Sequence, residues 1–511
     1  RLQLKLNKRF YEKSNITDVN NPVNITYGEL LKKSPNEVDV WIDELRDYVI
    51  TKWDDKEKPQ PPVIGQNEED IIKKWSKLHE VNVKDFFDVK TGVIRNFNKL
   101  ASGVNQFFPT MLKTKISTGV SSDNAHSIYD MFREDELREK FSKSMRRGLY
   151  KDSMYAFGKT LKRKDVDDVE KYIKKINKDK DFGLTIIQQK NSWAVESNGE
   201  WLSFTGTEVK ELLKRKVLTE DNIRTLDGVE LDDTIELKSG ATRYYHYHCR
   251  QYNRNQRIFP TALQIFRLGL GQPAVNFPAL TAKFLYEHFT EHIKDKKITV
   301  YDPSAGWGGR ILGAMCTNRK LHYIGTDPNP DNVGRYENVA EFYNTHCVQD
   351  NQFWGREKNT FSVYDHGSEE IHNESLFKIY KGSVDFVFTS PPYFNREQYS
   401  QDESQSFKKF SAYEDWRDNF LKPTLTTAYE LLNDNRYICW NIADIKVGSG
   451  KFIPLEQDSI DIIESLGGKY IDTYKMLMTR MIGLNPKHGK NSVKSDGNYY
   501  KFEPILIFRK G

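Results

Sequence analysis

From residue 297 onward the chain repeats one unit: a short apolar run closed by an acid or a hydroxyl, a turn, then residues at helical spacing. K-I-T-V-Y-D (297–302), L-H-Y-I-G-T-D (321–327), F-S-V-Y-D (361–365) and V-D-F-V-F-T-S (384–390) are the first four runs. Helical patterns follow at R-I-L-G-A-M, at 329–344, at 413–432 and at 454–466, and R-Y-I-C-W-N-I-A-D (436–444) is a fifth strand. Strands alternating with helices mean a largely parallel sheet covered on both faces. The last two strands, 469–479 and 503–509, have no helix between them and are expected to pair antiparallel. The expected fold of 271–511 is therefore α/β, a mostly parallel seven-stranded sheet with an antiparallel last strand.

The chain upstream reads differently. Residues 1–180 are expected to be mainly helical: Trp41, Leu45, Val49 and Trp53 share one helical face, D-D-K-E-K-P-Q-P-P (54–62) is a connector, and helical patterns follow at 66–89 and 128–178. Residues 181–270 break into short alternating runs around a helix at 207–216, an α+β module. With 511 residues and 38% hydrophobic content the chain can hold two or three cored domains. The formal charge of +5 permits an anionic partner without requiring one. Cys249, Cys316, Cys347 and Cys439 form no CxxC pair, so free thiols in a reducing compartment are expected. No apolar run reaches the ~18 residues of a membrane span, and the expected location is the cytoplasm.

Three constellations carry chemistry. The first is Y-D-P-S-A-G-W-G-G-R (301–310), where Asp302 at the strand end can hydrogen-bond a polar ligand and Gly306, Gly308 and Gly309 let backbone approach it. Alone, this is equally the pattern of a tight turn. The second is Asp327, about twenty residues past the glycines, where an acid takes ribose hydroxyls. No phosphate-binding lysine follows the glycines and Trp307 would crowd a pyrophosphate, so the ligand is expected to be a nucleoside without phosphates. Asp327 can equally cap the helix after it. The third is T-S-P-P-Y-F (389–394). Two prolines fix φ and withhold N–H donors, leaving a rigid loop of acceptors beside the Tyr393 ring. Such a cluster suits a planar ring carrying an exocyclic amine; its plainer reading is a strand terminator with a packing tyrosine.

D-P-S-A-G-W-G, then Asp327, then S-P-P-Y together resemble the S-adenosylmethionine-dependent amino-methyltransferases of DNA, which methylate cytosine N4 or adenine N6. The resemblance covers about 275–511, follows the gamma order of motifs, and implies a Rossmann-like methyltransferase domain; the whole chain is similar to a phage-encoded DNA methylase. Ser304 stands where the family usually has phenylalanine, and Ser390–Tyr393 match the catalytic motif. The resemblance implies that Phe277 and Pro278 cradle the methionine end of the cofactor and that Asp365 lies near its adenine. It further implies that Ser390 and the Pro391 carbonyl accept the amine hydrogens, with Pro392 stiffening the loop. A base flipped from duplex DNA would stack on Tyr393, with Phe394 extending that wall. Serine at the first motif position is associated in the family with cytosine N4. Carbon-5 chemistry needs a cysteine after a proline, and none of the four has one. No metal is required. RNA as substrate, or a methyltransferase fold without catalysis, stay open, the latter because of Trp307 and Ser304.

Arg243, Arg250, Arg254 and Arg257, set among tyrosines, suit a nucleic-acid surface, and 181–270 is the candidate target-recognition module. Basic runs at 143–151 and 159–164 fit phosphate contacts or a solvated face. The polar stretch 395–410 is expected to be a loop closing over the base, and 482–501 a second loop facing DNA.

Overall fold

The structure, a computed structural model, describes residues 35–55, 60–62, 66–95, 98–116, 125–139 and 274–511 except 295, 349–357, 401, 448–450 and 481–490, with a short stretch before 35, residue 141 and separate elements between 151 and 246. It divides into two compact units: Arg1–Asp18, Arg46–Leu137 and Leu270–Gly511 form one, Val19–Leu45 and Arg138–Gly269 the other.

The larger unit is organised on a ten-stranded sheet. Its strands, in chain order, are β1 (Phe87–Asp88), β2 (Val93–Ile94), β3 (Ile298–Asp302), β4 (Leu321–Thr326), β5 (Thr360–Tyr364), β6 (Val384–Thr389), β7 (Leu432–Asn441), β8 (Lys469–Arg480), β9 (Ser492–Ser495) and β10 (Asn498–Arg509). They lie in the order β1-β2-β8-β10-β7-β6-β3-β4-β5, with β9 paired to β10. The five strands from β3 to β7 are mutually parallel. β10 runs antiparallel between β7 and β8, as expected for the final pair. The α/β expectation for 271–511 therefore holds.

Alternation along these strands feeds two cores, because successive side chains leave opposite faces. Val300, Tyr323, Phe386 and Phe388 join one core, with helices α1 (Glu68–Glu80), α2 (Ala279–Thr290), α3 (Gly309–Met315) and α4 (Arg335–His346). Tyr301, Ile324, Val387 and Ile438 join the other, with α5 (Lys422–Leu431) and α6 (Leu455–Ser465). Ahead of α5 the helix widens to π geometry over Arg417–Leu421, next to Pro423, which cannot donate a helix hydrogen bond.

The compact unit reaches upstream of the 271 boundary expected from the sequence. Helix α1 buries Trp75 5.3 Å from Phe342 and 5.8 Å from Phe107, ring centre to ring centre. The fully buried Lys283 ammonium donates to the carbonyls of His79 and Val81 at 2.9 Å each, closing α1 onto α2. β1 and β2 extend the sheet beyond β8. Residues 66–95 and 98–116 are thus part of the larger unit. Their apolar residues have no matching partners nearby in sequence, so the pattern alone reads as a separate helix.

The smaller unit has a four-stranded sheet of Glu200–Thr205, Ser192–Ser197, Ile186–Gln189 and Ile223–Thr225. The helix Gly206–Lys214 starts on a Thr205–Glu208 capping box, and Arg215 past its end pairs with Asp167 at 2.6 Å and Glu170 at 3.1 Å on the helix Val166–Asn177. A second sheet joins Lys151–Asp152, Thr242–His246 and Asp233–Glu236. The described elements between 151 and 246 mix helix and strand.

Candidate active site

After β5 the chain crosses back to β6 on the other side of β3, so the strand order reverses between β3 and β6. Parallel sheets open a crevice at such a point, beyond the carboxyl ends of the strands. The glycine turn follows β3 and S-P-P-Y follows β6, so both constellations meet there.

The turn is fixed by bonds from all sides. Gly306 (φ +66°) donates its N–H to Asp327 Oδ2 at 3.0 Å and accepts from the Tyr336 hydroxyl at 2.7 Å. Asn276 accepts from Gly309 N–H at 3.2 Å and donates to the Trp307 carbonyl at 2.6 Å, which lays 276–278 against the turn. A Cβ at Gly309 would stand 2.1 Å from the Phe277 carbonyl oxygen. Gly308 (φ +80°) is constrained twice, since a Cβ there would stand 2.4 Å from Phe108 Cε2. We expect Gly308→Ala to lose more than the ~1 kcal/mol of a left-handed alanine, because a rigid buried ring must also move. A fall in melting temperature checks this; an unchanged protein would deny the contact.

The turn and the S-P-P-Y loop line one cavity of about 490 Å³. Phe277, Pro278, Ser304, Gly306 and Asp327 line it from the glycine side, and Ser390, Pro392 and Tyr393 from the other. The Tyr393 hydroxyl reaches the Asn441 carbonyl at 3.4 Å, and burial raises it well above the ordinary phenol range. Burial also pushes the Asp327 carboxyl up to about 6, against hydrogen bonds from Asn329, Tyr336 and Gly306.

Five expected roles are redirected, the first being that of Pro391, which is buried and, unlike Ser390 and Pro392, does not line the cavity. Asp302 is fully buried and does not line the cavity. Its carboxylate accepts from Ser304 N–H at 3.2 Å and from Thr389, Tyr323 and Arg310 at 2.7 Å each, four bonds that use its acceptor capacity. It is a structural anchor for the turn. Asp365 is exposed and outside the lining; the acid that the following residues bring to the wall is Glu369, paired with Lys409 at 2.8 Å. Phe394 turns inward at φ +45°, edge-on to Tyr413 and Trp416, so it packs in the core rather than extending the stacking wall. Gly308 shapes the start of α3 without lining the cavity.

The stretch after S-P-P-Y is not an open loop. Glu397–Gln398 pairs antiparallel with Lys115–Ile116, Ser404 Oγ donates to the Pro328 carbonyl at 2.9 Å, and Ser406–Lys409 is helical. Arg250, Arg254 and Arg257, residues 159–164 and residues 143–150 lie outside the described residues, as do 481–490; Arg243 lies on the strand Thr242–His246. Residues 491–501 include the β9–β10 hairpin.

Several lining residues were not read from the sequence. Arg310, nearly buried, donates to Asp302 and to the Ser304 carbonyl and lies 5.7 Å from the Phe277 ring centre. Gln405, Asn441 and Glu503 also face the cavity. Asn441 closes the apolar run of β7 as the acids close β3 and β4, and that parallel was the available signal.

Residues 384–511 match a family of N6/N4 DNA methylases, described as DNA methylase. No curated protein matches the chain. Among solved structures it is similar to an S-adenosylmethionine-dependent O-methyltransferase from Thermotoga maritima (TM-score 0.28, 10% identity, 55% of this chain and 78% of that one). It is also similar to a TehB-like S-adenosylmethionine-dependent methyltransferase from Corynebacterium glutamicum (TM-score 0.25, 11% identity, 49% and 96%). A third is a candidate DNA modification methylase from Thermus thermophilus in complex with S-adenosyl-L-methionine (TM-score 0.19, 18% identity, 28% and 51%), of which this chain spans about half. The sheet order defines an α/β domain, and its carboxyl-terminal part, a quarter of the whole chain, is similar to the N6/N4 DNA methylase family.

Proposed function

We propose that the protein transfers a methyl group from S-adenosylmethionine to the exocyclic amine of a base extruded from DNA, cytosine N4 in preference to adenine N6. The observation that carries this reading is the meeting of Asp327, the glycine turn and S-P-P-Y in one cavity at the reversal of strand order.

The residues present suit the cofactor. A cavity of about 490 Å³ is of ligand size, and Gly306 in the left-handed region presents bare backbone to it. Asp327 offers a carboxylate to ribose hydroxyls, and Phe277 and Pro278 offer an apolar wall. When bound, S-adenosylmethionine supplies an electrophilic methyl on a sulfonium. The protein's task is to aim the amine at it. Ser390 Oγ accepts one of the two amine hydrogens, which draws the lone pair out of conjugation with the ring and raises its nucleophilicity. Tyr393 holds the ring by stacking, and positioning with local electrostatics supplies most of the rate. Serine at position 390, associated with cytosine N4 in the family the chain resembles, supports that choice of base. The smaller unit, with Arg243, Arg250, Arg254 and Arg257, is assigned target recognition.

Calorimetric titration with S-adenosylmethionine tests the reading, and undetectable binding overturns it. Binding is expected to depend on pH through Asp327. With a carboxyl at about 6, the acceptor for ribose is present above pH 6 and is lost as pH falls through it. Asp327→Asn is expected to bind about tenfold more weakly and to lose that acid dependence, an effect of one charge-assisted hydrogen bond.

A further inference from the structure

Beyond the S-P-P-Y loop, away from the glycine turn, the cavity has a polar wall on strands β7 and β10. Asn441 is fully buried at the end of β7 and lines the cavity. Its amide donates to the Pro504 carbonyl at 2.9 Å, and its Oδ1 has no partner. An orphaned buried acceptor is costly, so such an oxygen points to a donor supplied by a ligand. Asn441 is opposite Ile505 in the β7–β10 register, which puts Glu503 on the same sheet face as Asn441. Glu503 is half-buried on the cavity wall, and Met476 is opposite it on β8.

We propose, resting on the base-methylation reading above, that Asn441 and Glu503 form the subsite for the amidine edge of the target base. Asn441 Oδ1 accepts a hydrogen of the exocyclic amine, and the Glu503 carboxyl, in its acid form, donates to the adjacent ring nitrogen. Cytosine N4/N3 and adenine N6/N1 both present that donor–acceptor pair. A thymine or guanine edge offers a carbonyl where Asn441 needs a donor, so the subsite selects amino bases.

The surroundings favour the acid form. Burial, with the Glu397 carboxylate close by, pushes Glu503 up to about 7, against the pull of Arg396. Glu397 is itself raised by burial and accepts from the Tyr399 hydroxyl. Tyr393, Arg396, Glu397 and Tyr399 face the same cavity from the loop side, Lys501 from the strand of Glu503, and Asp444 from the segment after β7. Ionised Glu503 would set a negative charge against the lone pair of the ring nitrogen, so productive base binding is lost as pH rises through about 7.

The test is kcat/KM for unmethylated DNA of mixed sequence, measured with saturating tritiated S-adenosylmethionine between about pH 6.5 and 8.5, where Asp327 is mostly ionised. Wild type is expected to fall by about tenfold across that range. Glu503→Gln, whose amide donates at every pH, is expected to be active and flat. Glu503→Ala is expected to be flat and at least about tenfold lower than wild type at the acid end, with unchanged calorimetric affinity for the cofactor. Asn441→Ala is expected to lower kcat/KM similarly while cofactor affinity holds. Methyl transfer by Glu503→Gln with the wild-type alkaline fall would overturn this subsite and leave the methyltransferase reading standing. A wild-type protein that transfers no methyl to DNA would overturn both.

Discussion

Arg310→Met is expected to destabilise the protein by about 3–5 kcal/mol, the cost of leaving one buried charge without its partner. The side chains of Arg310 and Asp302 are 5% and 0% exposed, so neither water nor salt can replace the lost bond. Asp302 would keep Tyr323, Thr389 and Ser304 but lose its only cationic donor among its described contacts. A fall of about 3–7 degrees in melting temperature is the expected reading for a chain of this size. Arg310 also donates to the Ser304 carbonyl, so the turn that carries Gly306 should loosen and cofactor affinity should drop with stability. Arg310→Lys should not rescue, because one ammonium cannot replace a guanidinium fork reaching two acceptors. Asp302→Asn combined with Arg310→Met should recover part of the loss, since it removes the stranded charge. An unchanged melting temperature in the single variant would show that the pair is not the anchor of the site.

Tyr393→Ala is expected to lower methyl transfer by about 10–100-fold, the range set by one base–aromatic stack. Cofactor affinity should stay within about twofold of wild type, since the ring is assigned to the base. Tyr393→Phe should keep the stack and the cofactor affinity but lose about fivefold in transfer, because the hydroxyl bonds Ser390 as well as reaching the Asn441 carbonyl at 3.4 Å. Equal losses of transfer and cofactor affinity in Tyr393→Ala would place the ring in the cofactor pocket instead.

The sheet was legible because its strands are apolar in continuous runs and helices separate most of its parallel strands, so local pattern and long-range pairing agree. β3, β4, β5 and β6 fall within a residue or two of the apolar runs that announced them. The glycine turn and S-P-P-Y were legible for a similar reason: proline, glycine and strand-end acids restrict backbone locally. Partners distant in the chain were not legible. Asp302 looked like a ligand-facing acid, yet Tyr323, Thr389 and Arg310, 21, 87 and 8 residues away, close around it. Phe394 looked like a wall residue because it follows Tyr393, but its left-handed backbone sends the ring to Trp416 instead. Asp365 follows β5 as Asp302 ends β3, but among the described residues no neighbouring strand covers β5 on its outer side, and the acid stays in solvent. The part played by 66–116 was hidden for the same reason. The contacts of Phe108 with Gly308, and of Lys115–Ile116 with Glu397–Gln398, join segments some 200 residues or more apart.

One product gives the most direct test of the proposed reaction. DNA incubated with the protein and methyl-labelled S-adenosylmethionine is digested to nucleosides, and the labelled nucleoside is identified by mass and retention. The expected product is N4-methyldeoxycytidine. N6-methyldeoxyadenosine would keep the amine chemistry of Ser390 and Tyr393 and overturn the choice of base. Label on carbon 5 of cytosine, or no label in DNA from a protein that binds the cofactor, would contradict the proposed reaction.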